Sequence, residues 1–456
     1  MRADELVISS TFSDRNVSIF GLGYVGLTLA VAMANKGFRV HGVEVRQDIL
    51  AQLALGKSHF HEPGLDSRLA KVLADGSLTY SEEVLDRISA TVFIITVGTP
   101  LNEDGLARLD MVTNATKDVG TIMPEGALII LRSTVKLGTA RNVVIPVLQA
   151  TGKRFEIACC PERTLEGRAL AELSQLPQII GSDDPATLRR AAQLFGSLTP
   201  TTVRVDGLET AEMIKLVDNT FRDVSFGFAN EIARACDAVG LSAAEVIRAG
   251  KLGYPRTNLP MPGPVGGPCL AKDPHILLES LSEWNAKLPI TAAARATNEN
   301  QPTEIAEFLA NQLGHRLGGR PAVIALLGLA FKGQPATDDL RGTMARPILS
   351  ALQDRFPNAA WRGYDPVVQP RDIESLGLLP CASIADAVDG ANAVLILNNH
   401  PAFQAMPIEN LADLLAEPGL FYDCWNLFTD EVLQFPPQRA YFALGSHKRG
   451  QFSSWN

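Results

Sequence analysis

The chain of 456 residues lacks long runs of like charge and long apolar runs. No five consecutive residues share a charge sign and the formal net charge is -9, so neither nucleic acid nor an anionic membrane surface is an expected partner. No apolar run approaches the roughly 20 residues of a membrane span. The first sixteen residues contain acids and lack a signal-peptide core. We therefore expect a cytoplasmic protein.

Cysteine and histidine are scarce, with six and seven residues. There is no CxxC pair and no Cys/His cluster at metal-ligand spacing, which predicts reduced thiols and no bound metal. Cys159 and Cys160 are adjacent, and we interpret them as residues at the end of a strand.

The first half of the chain alternates short apolar runs with helical patterns, which is typical of a doubly wound parallel sheet. The runs are VSIFGLG, RVHGVEV, TVFIITVGTP, ALIILRST and RFEIACCP. From Glu209 to about Gly240 the pattern predicts one helix of some 32 residues. Ser242 and Glu245 have capping-box spacing for the next helix. A Pro/Gly-rich loop, RTNLPMPGPVGGPCLAKDP, follows.

A second alternating region begins near Pro321 with the strand VIAL, which runs into Gly328, Ala330 and Gly333. Their spacing repeats that of the glycines after VSIF. The chain is therefore predicted to be an α/β protein, with two Rossmann-like doubly wound domains joined by a central, all-α, long-helix region. The predicted domains are residues 1–205, 206–310 and 311–456.

Gly21, Gly23 and Gly26 form GxGxxG between a strand and a helix, a context that indicates dinucleotide binding. Glu44 ends the next strand, 23 residues after Gly21. Its carboxylate can accept from a ribose 2′-hydroxyl and repel a 2′-phosphate, which favours NAD over NADP, although Arg46 weakens this inference. The alternative is a simple tight turn with a solvated Glu44.

Cys269 lies in the Pro/Gly-rich loop, three and four residues before Lys272 and Asp273. A nearby ammonium lowers the pKa of a thiol and favours the nucleophilic thiolate, whereas most cysteines are buried and inert. The spacing favours a catalytic thiol without settling it.

Two polar pairs have helical i, i+4 spacing. Lys215 and Asn219 share a face of the long predicted helix, where they either stabilise an oxyanion or form a solvated pair. Glu162 and Glu166 follow a predicted strand and suit acid/base chemistry, although solvated loop acids are commoner.

The chain resembles the UDP-glucose/GDP-mannose dehydrogenase family over nearly its whole length. Eight motifs in family order carry the resemblance, namely FGLGYVGL, EPGL, VGTP, STV, CPERTLEG, KLVDNTFRDVSFGFANE, GGPCLAKDP and GLAFKGQPATDDLR. It implies an NAD-dependent enzyme that oxidises the C6 alcohol of a nucleotide sugar twice without releasing the aldehyde, and a helical middle that forms a homodimer or higher homo-oligomer.

The resemblance also implies roles for individual residues. Cys269 is expected to attack the aldehyde, while Lys215 and Asn219 stabilise the oxyanion. Asp273 and Thr134 are expected to hold a water, and Glu166 to assist hydrolysis. The expected cofactor contacts are Gly21, Gly23, Tyr24, Val25, Gly26, Glu44, Arg46, Thr99, Thr134 and Arg341. The expected substrate contacts are Glu162, Arg163, Lys215, Asn219, Arg222, Gly266, Lys272 and Lys332.

Arg163 departs from the pattern of UDP-glucose enzymes, which carry an aromatic residue after the glutamate. CPERTLEG resembles the branch acting on UDP-N-acetylhexosamines, either N-acetylmannosamine or N-acetylglucosamine, and a guanidinium can bind an acetamido carbonyl or a phosphate. The remaining alternatives are UDP-glucose as substrate, a non-catalytic sensor of nucleotide sugar or NAD, and a hydroxyacid dehydrogenase of the phosphogluconate type, which needs no thiol.

Overall fold

A computed structural model describes residues 8–9, 11–282, 284–428 and 433–447. The chain divides into two compact units. The first contains residues 1–218 and 275–287, and the second contains residues 219–274 and 288–456. The predicted domain boundaries at 205 and 310 remain predictions.

The first unit contains an eight-stranded sheet of order β3-β2-β1-β4-β5-β6-β7-β8. Its strands are β1 Asn16–Phe20, β2 Arg39–Val43, β3 Leu78–Ser81, β4 Val92–Ile95, β5 Ala127–Leu131, β6 Phe155–Cys159, β7 Gln178–Ser182 and β8 Thr202–Asp206. The helices between them are α1 Tyr24–Asn35, α2 Gln47–Ala54, α3 Leu65–Ala74, α4 Asp110–Ile122, α5 Ile145–Gln149, α6 Ala169–Glu172 and α7 Pro185–Phe195, with a π-helical turn at Ala140–Val144.

One pairing in this sheet differs from the prediction. The pairs from β3 through β6 are parallel, as are β7 and β8. However, β6 pairs with β7 antiparallel, at Cys159 and Gly181. The chain between these strands carries only the four-residue helix α6, so it lacks the longer helical crossover that a parallel connection needs.

The region after the first sheet is helical, as predicted. It contains α8 Leu208–Val239, α9 Ala243–Lys251, α10 Gly267–Leu270, α11 Asp273–Ser282 and α12 Pro289–Leu313. Helix α8 has 32 residues, and the side chain of Ser242 accepts a bond from Glu245 N at the start of α9. The long helix and its neighbouring cap are thereby confirmed.

The second unit contains a six-stranded parallel sheet of order β11-β10-β9-β12-β13-β14. Its strands are β9 Val323–Leu327, β10 Ala360–Tyr364, β11 Leu379–Pro380, β12 Ala393–Ile396, β13 Gly419–Asp423 and β14 Arg439–Ala443. Its helices are α13 Ala345–Arg355, α14 Pro370–Glu374, α15 Ile384–Val388, α16 Pro401–Gln404 and α17 Ile408–Ala412. This is the Rossmann order 3-2-1-4-5-6, and the first six strands of the other sheet have it too.

Both sheets have an apolar core on each face. In β1, Ile19 packs into one cluster and Phe20 into another. In β9, Leu326 and Leu327 likewise pack into two different clusters. Strands buried on both faces explain the unbroken apolar runs in the sequence. The predicted fold of two Rossmann-like domains joined by a long helix is confirmed. Over the described residues, no helix combines the length and the apolar character that crossing a membrane requires.

Candidate active site

The dinucleotide fingerprint lies between β1 and α1. A Cβ atom on Gly26 would lie 1.9 Å from the carbonyl oxygen of Gly21, so only glycine fits there. Gly23 is the N-cap of α1, has no side chain to cap the helix, and has open space around its Cα. The first turn of α1, including Tyr24 and Val25, can therefore present its N–H groups to an anion, as a pyrophosphate site requires.

Glu44 follows β2 and is buried beside this loop. Its Oε2 accepts a bond of 2.8 Å from Leu22 N, and its Oε1 accepts one of 3.0 Å from Arg46 N. The exposed Arg46 guanidinium forms an ion pair with Asp48. Glu44 thus stands at the acidic position of a dinucleotide site and also orders the fingerprint backbone.

Tyr24 has a partner that the sequence did not indicate. Its hydroxyl donates to Glu62 Oε2 at 2.6 Å, and Gly167 N donates to that same oxygen at 2.8 Å. Burial, followed by the hydrogen bond to Glu62, raises the pKa of Tyr24. These contacts connect α1 to the loop after β6, which carries the buried Glu166.

Glu162 is held by a buried cation that the sequence analysis missed. Arg132 Nη2 forms an ion pair with Glu162 Oε2, and both side chains are buried. Glu162 Oε1 accepts from the backbone N–H groups of Arg163 and Thr164, at 2.7 and 2.8 Å. Burial opposes ionisation, but Arg132 and the backbone donors lower the pKa of Glu162. A charged residue directly after the apolar run ALIIL was the available signal for Arg132.

Arg163 is fixed by contacts within the first unit. Its Nη2 donates to the carbonyl of Pro177 at 2.7 Å, and its Nη1 lies 3.5 Å from Asp218 Oδ2. The side chain is partly exposed.

Thr134 and Lys215 line one small pocket of the first unit, together with Cys159 and Glu212. Thr99 Oγ1 donates to the carbonyl of Thr134 at 2.5 Å, which fixes the loop after β5. Glu212, which the sequence analysis also missed, accepts from Gly138 N at 2.6 Å and Ala140 N at 2.8 Å. Burial raises its pKa to about 7. Its position three residues before Lys215 on α8 was the available signal.

The two cysteines of the first unit are buried, whereas a reactive thiol is partly exposed and has a lowered pKa. Cys159 ends β6 and Cys160 follows it, as expected, and both are buried. Burial raises the pKa of Cys160 to about 12. None of the six cysteines, all of which lie in the described residues, forms a disulfide.

Cys269, Lys272, Asp273 and Asn219 lie in the second unit. Cys269 was expected in a loop, but it lies on the short helix α10 and is partly exposed. The preceding Pro268 does not prevent this helix, because proline is tolerated in the first turn, where its missing N–H would have no partner. Asn219 Nδ2 donates to Asp273 Oδ2 at 2.5 Å, and Lys272 Nζ lies 2.7 Å from Asp273 Oδ1. The buried Asp273 carboxylate therefore has a fixed orientation four residues after the thiol. The predicted substrate residue Arg222 is exposed on α8.

The two glycines before Cys269 allow close backbone packing. A Cβ atom on Gly266 would lie 2.2 Å from Gly342 O. Gly267 has a φ of +92°, and a Cβ atom there would lie 2.4 Å from the Phe331 ring. Gly267 N donates to Gly342 O at 2.7 Å. Packing thus requires Gly266, whereas its predicted substrate contact remains a prediction.

The degenerate fingerprint after β9 has its own acidic residue. Asp365, directly after β10, accepts from Leu329 N at 2.7 Å and Ala330 N at 3.1 Å. Lys332 Nζ lies 5.2 Å from the centroid of the Phe331 ring. The exposed Arg341 pairs with Asp339, to which its Nη2 donates at 2.6 Å. Asp365 could have been found in the sequence, because it follows the second strand of its domain as Glu44 does.

Three domain profiles of one family match the chain. The NAD binding domain of the UDP-glucose/GDP-mannose dehydrogenase family matches residues 15–199, the central domain matches residues 209–300 and the UDP binding domain matches residues 325–430. The UDP-N-acetyl-D-mannosamine dehydrogenase of Pyrococcus horikoshii is 34% identical over 402 residues, which are 87% of this chain and 92% of that protein. The enzyme of the same name from Yersinia pestis is 31% identical over 88% of this chain and 97% of its own.

Solved structures agree with these matches. The UDP-D-ManNAc dehydrogenase structure from Pyrococcus horikoshii aligns with a TM-score of 0.82 at 32% identity, over 95% of this chain and all of that one (100%). A UDP-glucose dehydrogenase from Pyrobaculum islandicum aligns with a TM-score of 0.83 at 25% identity, over 96% of this chain and 99% of that one.

The fold and the fingerprint define an NAD-dependent oxidoreductase with two Rossmann-like domains. The chain belongs to the UDP-glucose/GDP-mannose dehydrogenase family, and it is an NAD-dependent nucleotide-sugar dehydrogenase.

Proposed function

We propose that the chain oxidises the C6 alcohol of a UDP-N-acetylhexosamine to a uronic acid in two steps, with Cys269 as the covalent catalyst. The observation that carries this proposal is the partly exposed Cys269 in one short segment with Asp273, whose carboxylate is oriented by Lys272 and Asn219. NAD supplies the hydride acceptor for both oxidations, and the fingerprint glycines with Glu44 would hold it.

Two oxidations and one hydrolysis convert the alcohol to the carboxylate. The first oxidation removes a hydride from C6 and a proton from its oxygen, leaving an aldehyde. Cys269 Sγ adds to the aldehyde carbon, and the thiohemiacetal loses a second hydride and proton to leave a thioester. Water then cleaves the C–S bond and releases the carboxylate, the thiol and one proton.

The other residue roles follow the family resemblance. Lys215 and Asn219 stabilise the oxyanion, Asp273 and Thr134 hold a water, and Glu166 assists hydrolysis. Because two donors fix the Asp273 carboxylate, it can accept a proton in one defined direction.

We propose that Lys332 binds the nucleotide diphosphate of the substrate, to which the match of the UDP binding domain lends support, and that Arg341 contacts the cofactor. The ordered Arg163 and the names of the Pyrococcus and Yersinia relatives support an N-acetylated sugar. The similarity to a UDP-glucose dehydrogenase supports UDP-glucose as the second candidate.

Product stoichiometry tests the function. Purified protein with NAD should form two NADH for each molecule of its preferred sugar, selected from UDP-N-acetylmannosamine, UDP-N-acetylglucosamine, UDP-glucose and GDP-mannose. One NADH per sugar would contradict the double oxidation, and no NADH with any sugar would favour the non-catalytic alternative.

A thiol substitution tests the covalent step. C269S should stop turnover or stall with a bound adduct visible by mass spectrometry, whereas C381S, which changes the other partly exposed thiol, should retain normal turnover. Normal turnover by C269S would favour a hydroxyacid dehydrogenase that needs no thiol.

We also propose that the protein forms a homodimer through α8. Phe221 and Phe228 are seven residues apart on this helix, and 70% and 52% of their surfaces are exposed. Light scattering should give about twice the chain mass of 49.0 kDa, and F221E with F228E should give the monomer. The free thiols support the proposed cytoplasmic location.

A further inference from the structure

A buried polar network joins α8 to α12 in the second unit. Asp223 on α8 and Asn298 on α12 are fully buried, and Arg295 is 3% exposed. Arg295 Nη1 donates to Asp223 Oδ1 at 2.6 Å, and Asn298 Nδ2 donates to that oxygen at 2.9 Å. Burying a charged pair costs free energy that apolar residues would not cost at the same place. The network therefore calls for a role beyond joining two helices.

Arg295 also reaches the segment that carries Cys269. The nitrogen that contacts Asp223 donates a second bond, of 2.7 Å, to the carbonyl oxygen of Leu270. Leu270 is the last residue of α10 and directly follows Cys269. The final carbonyls of a helix have no partner within it, so a guanidinium at this carbonyl fixes the end of α10.

Asn230 holds the beginning of the same segment. Its Oδ1 accepts from Gly263 N at 2.9 Å, and its Nδ2 donates to Gly263 O at 3.1 Å. That Nδ2 also lies 2.9 Å from Asn298 Oδ1, so Asn230 belongs to the network. Residues 263–270 are thereby attached at both ends to one hydrogen-bonded set of side chains.

We propose that Arg295, held by Asp223, is a positioning residue that sets the place of Cys269 through the Leu270 carbonyl. It rests on the proposed function in one respect, namely that Cys269 is the reacting thiol. In this proposal Arg295 acts on the backbone next to the thiol and not on the substrate. Its effect is geometric, since a shift of about 1 Å in a reacting group can lower a rate about a hundredfold.

The test compares R295M and R295K with a matched control. Arg234 on α8 pairs with Glu304 on α12 at 2.9 Å, so it joins the same two helices, but it is exposed and its hydrogen bonds go to Glu304 and Thr297 on α12. R234M should retain normal turnover. R295M should lower kcat about tenfold to a hundredfold with little change in either KM, and R295K, which keeps the charge beside Asp223, should recover part of the loss.

Hydrogen exchange provides a readout other than activity. In R295M, the amides of residues 263–270 should exchange at least about tenfold faster than in wild type, while the middle of α8 remains protected. Unchanged exchange in these amides, or a normal kcat despite faster exchange, would overturn the proposal. If R295M does not fold, R295K decides alone, and wild-type kcat and exchange in that variant would also overturn it.

The test of the covalent mechanism and the test of Arg295 have separate outcomes. If C269S retains normal turnover, the covalent mechanism is wrong, whereas the exchange result for R295M is unaffected. If C269S is inactive and R295M is fully active, only the positioning role of Arg295 is wrong.

Discussion

Asn219 donates a 2.5 Å hydrogen bond to Asp273 Oδ2, and the other oxygen of this buried carboxylate lies 2.7 Å from Lys272 Nζ. An amide on the long helix and an ammonium next to the carboxylate thus orient it together. Asparagine in place of Asp273 would keep an acceptor for Asn219 but could not accept a proton. Substitution of Asp273 can therefore separate the loss of its carboxylate charge from the loss of its hydrogen bond to Asn219.

D273N should lower kcat by about a hundredfold or more, because the water proposed for proton transfer loses the carboxylate that holds it while the hydrogen bond to Asn219 is kept. The melting temperature should change by only a few degrees, since Lys272 is partly exposed and can be hydrated. Steady-state NADH formation and thermal unfolding are the measurements. A kcat within about twofold of wild type would remove Asp273 from the proton-transfer step.

Much of the fold could be predicted because its signals are local. The parallel strands are buried on both faces and appear as short apolar runs, and α8 at Leu208–Val239 lies within one residue of its prediction. The antiparallel pairing of β6 with β7 could not be predicted, because strand direction depends on the connection and is not encoded in the residue types of either strand.

The missed site residues have partners that are distant in sequence. Arg132 lies 30 residues before Glu162, and Asp223 lies 72 residues before Arg295. A motif records neighbouring residues, so it identified Cys269 and the fingerprint. A buried ion pair between two distant elements cannot be identified from a local motif, because only folding brings its two residues together.

The pair of Arg132 and Glu162 should be strongly coupled. R132M leaves the buried Glu162 carboxylate without its ion-pair partner, which should lower the free energy of unfolding by about 3–5 kcal/mol. The double variant R132M/E162Q should recover part of this loss, as urea unfolding can measure. R154M, which breaks the exposed pair of Arg154 with Glu125, should cost less than about 1 kcal/mol. Additive effects of R132M and E162Q would contradict the coupling.

Glu212 should make stability fall as the pH rises. Burial raises its pKa from 4.5 to about 7 in the folded chain, so the native state holds a proton that the unfolded state has released. Its stabilisation is complete below about 4.5 and is lost as the pH rises through about 7, by up to about 3 kcal/mol. E212Q does not titrate, so it should gain stability relative to wild type between about pH 5 and pH 8.

Urea unfolding at several pH values checks this trend. E209Q is the control on the same helix, because the hydrogen bond from Arg141 lowers the pKa of Glu209 and gives it the opposite sign. A difference between E212Q and wild type that stays constant with pH would show that Glu212 is ionised throughout.

Glu44 and Asp365 have corresponding positions in their domains, since each follows the second strand and accepts from the backbone of a glycine-containing turn. E44Q keeps an acceptor for Leu22 N but loses the charge that disfavours a 2′-phosphate. We therefore expect the ratio of kcat/KM for NADP to that for NAD to rise about tenfold, while the KM for the nucleotide sugar stays unchanged.

D365N should affect the other substrate, with a higher KM for the nucleotide sugar and an unchanged KM for NAD. Initial rates with each substrate varied in turn separate the outcomes, and a D365N variant that affects only the KM for NAD would refute this division between the two fingerprints.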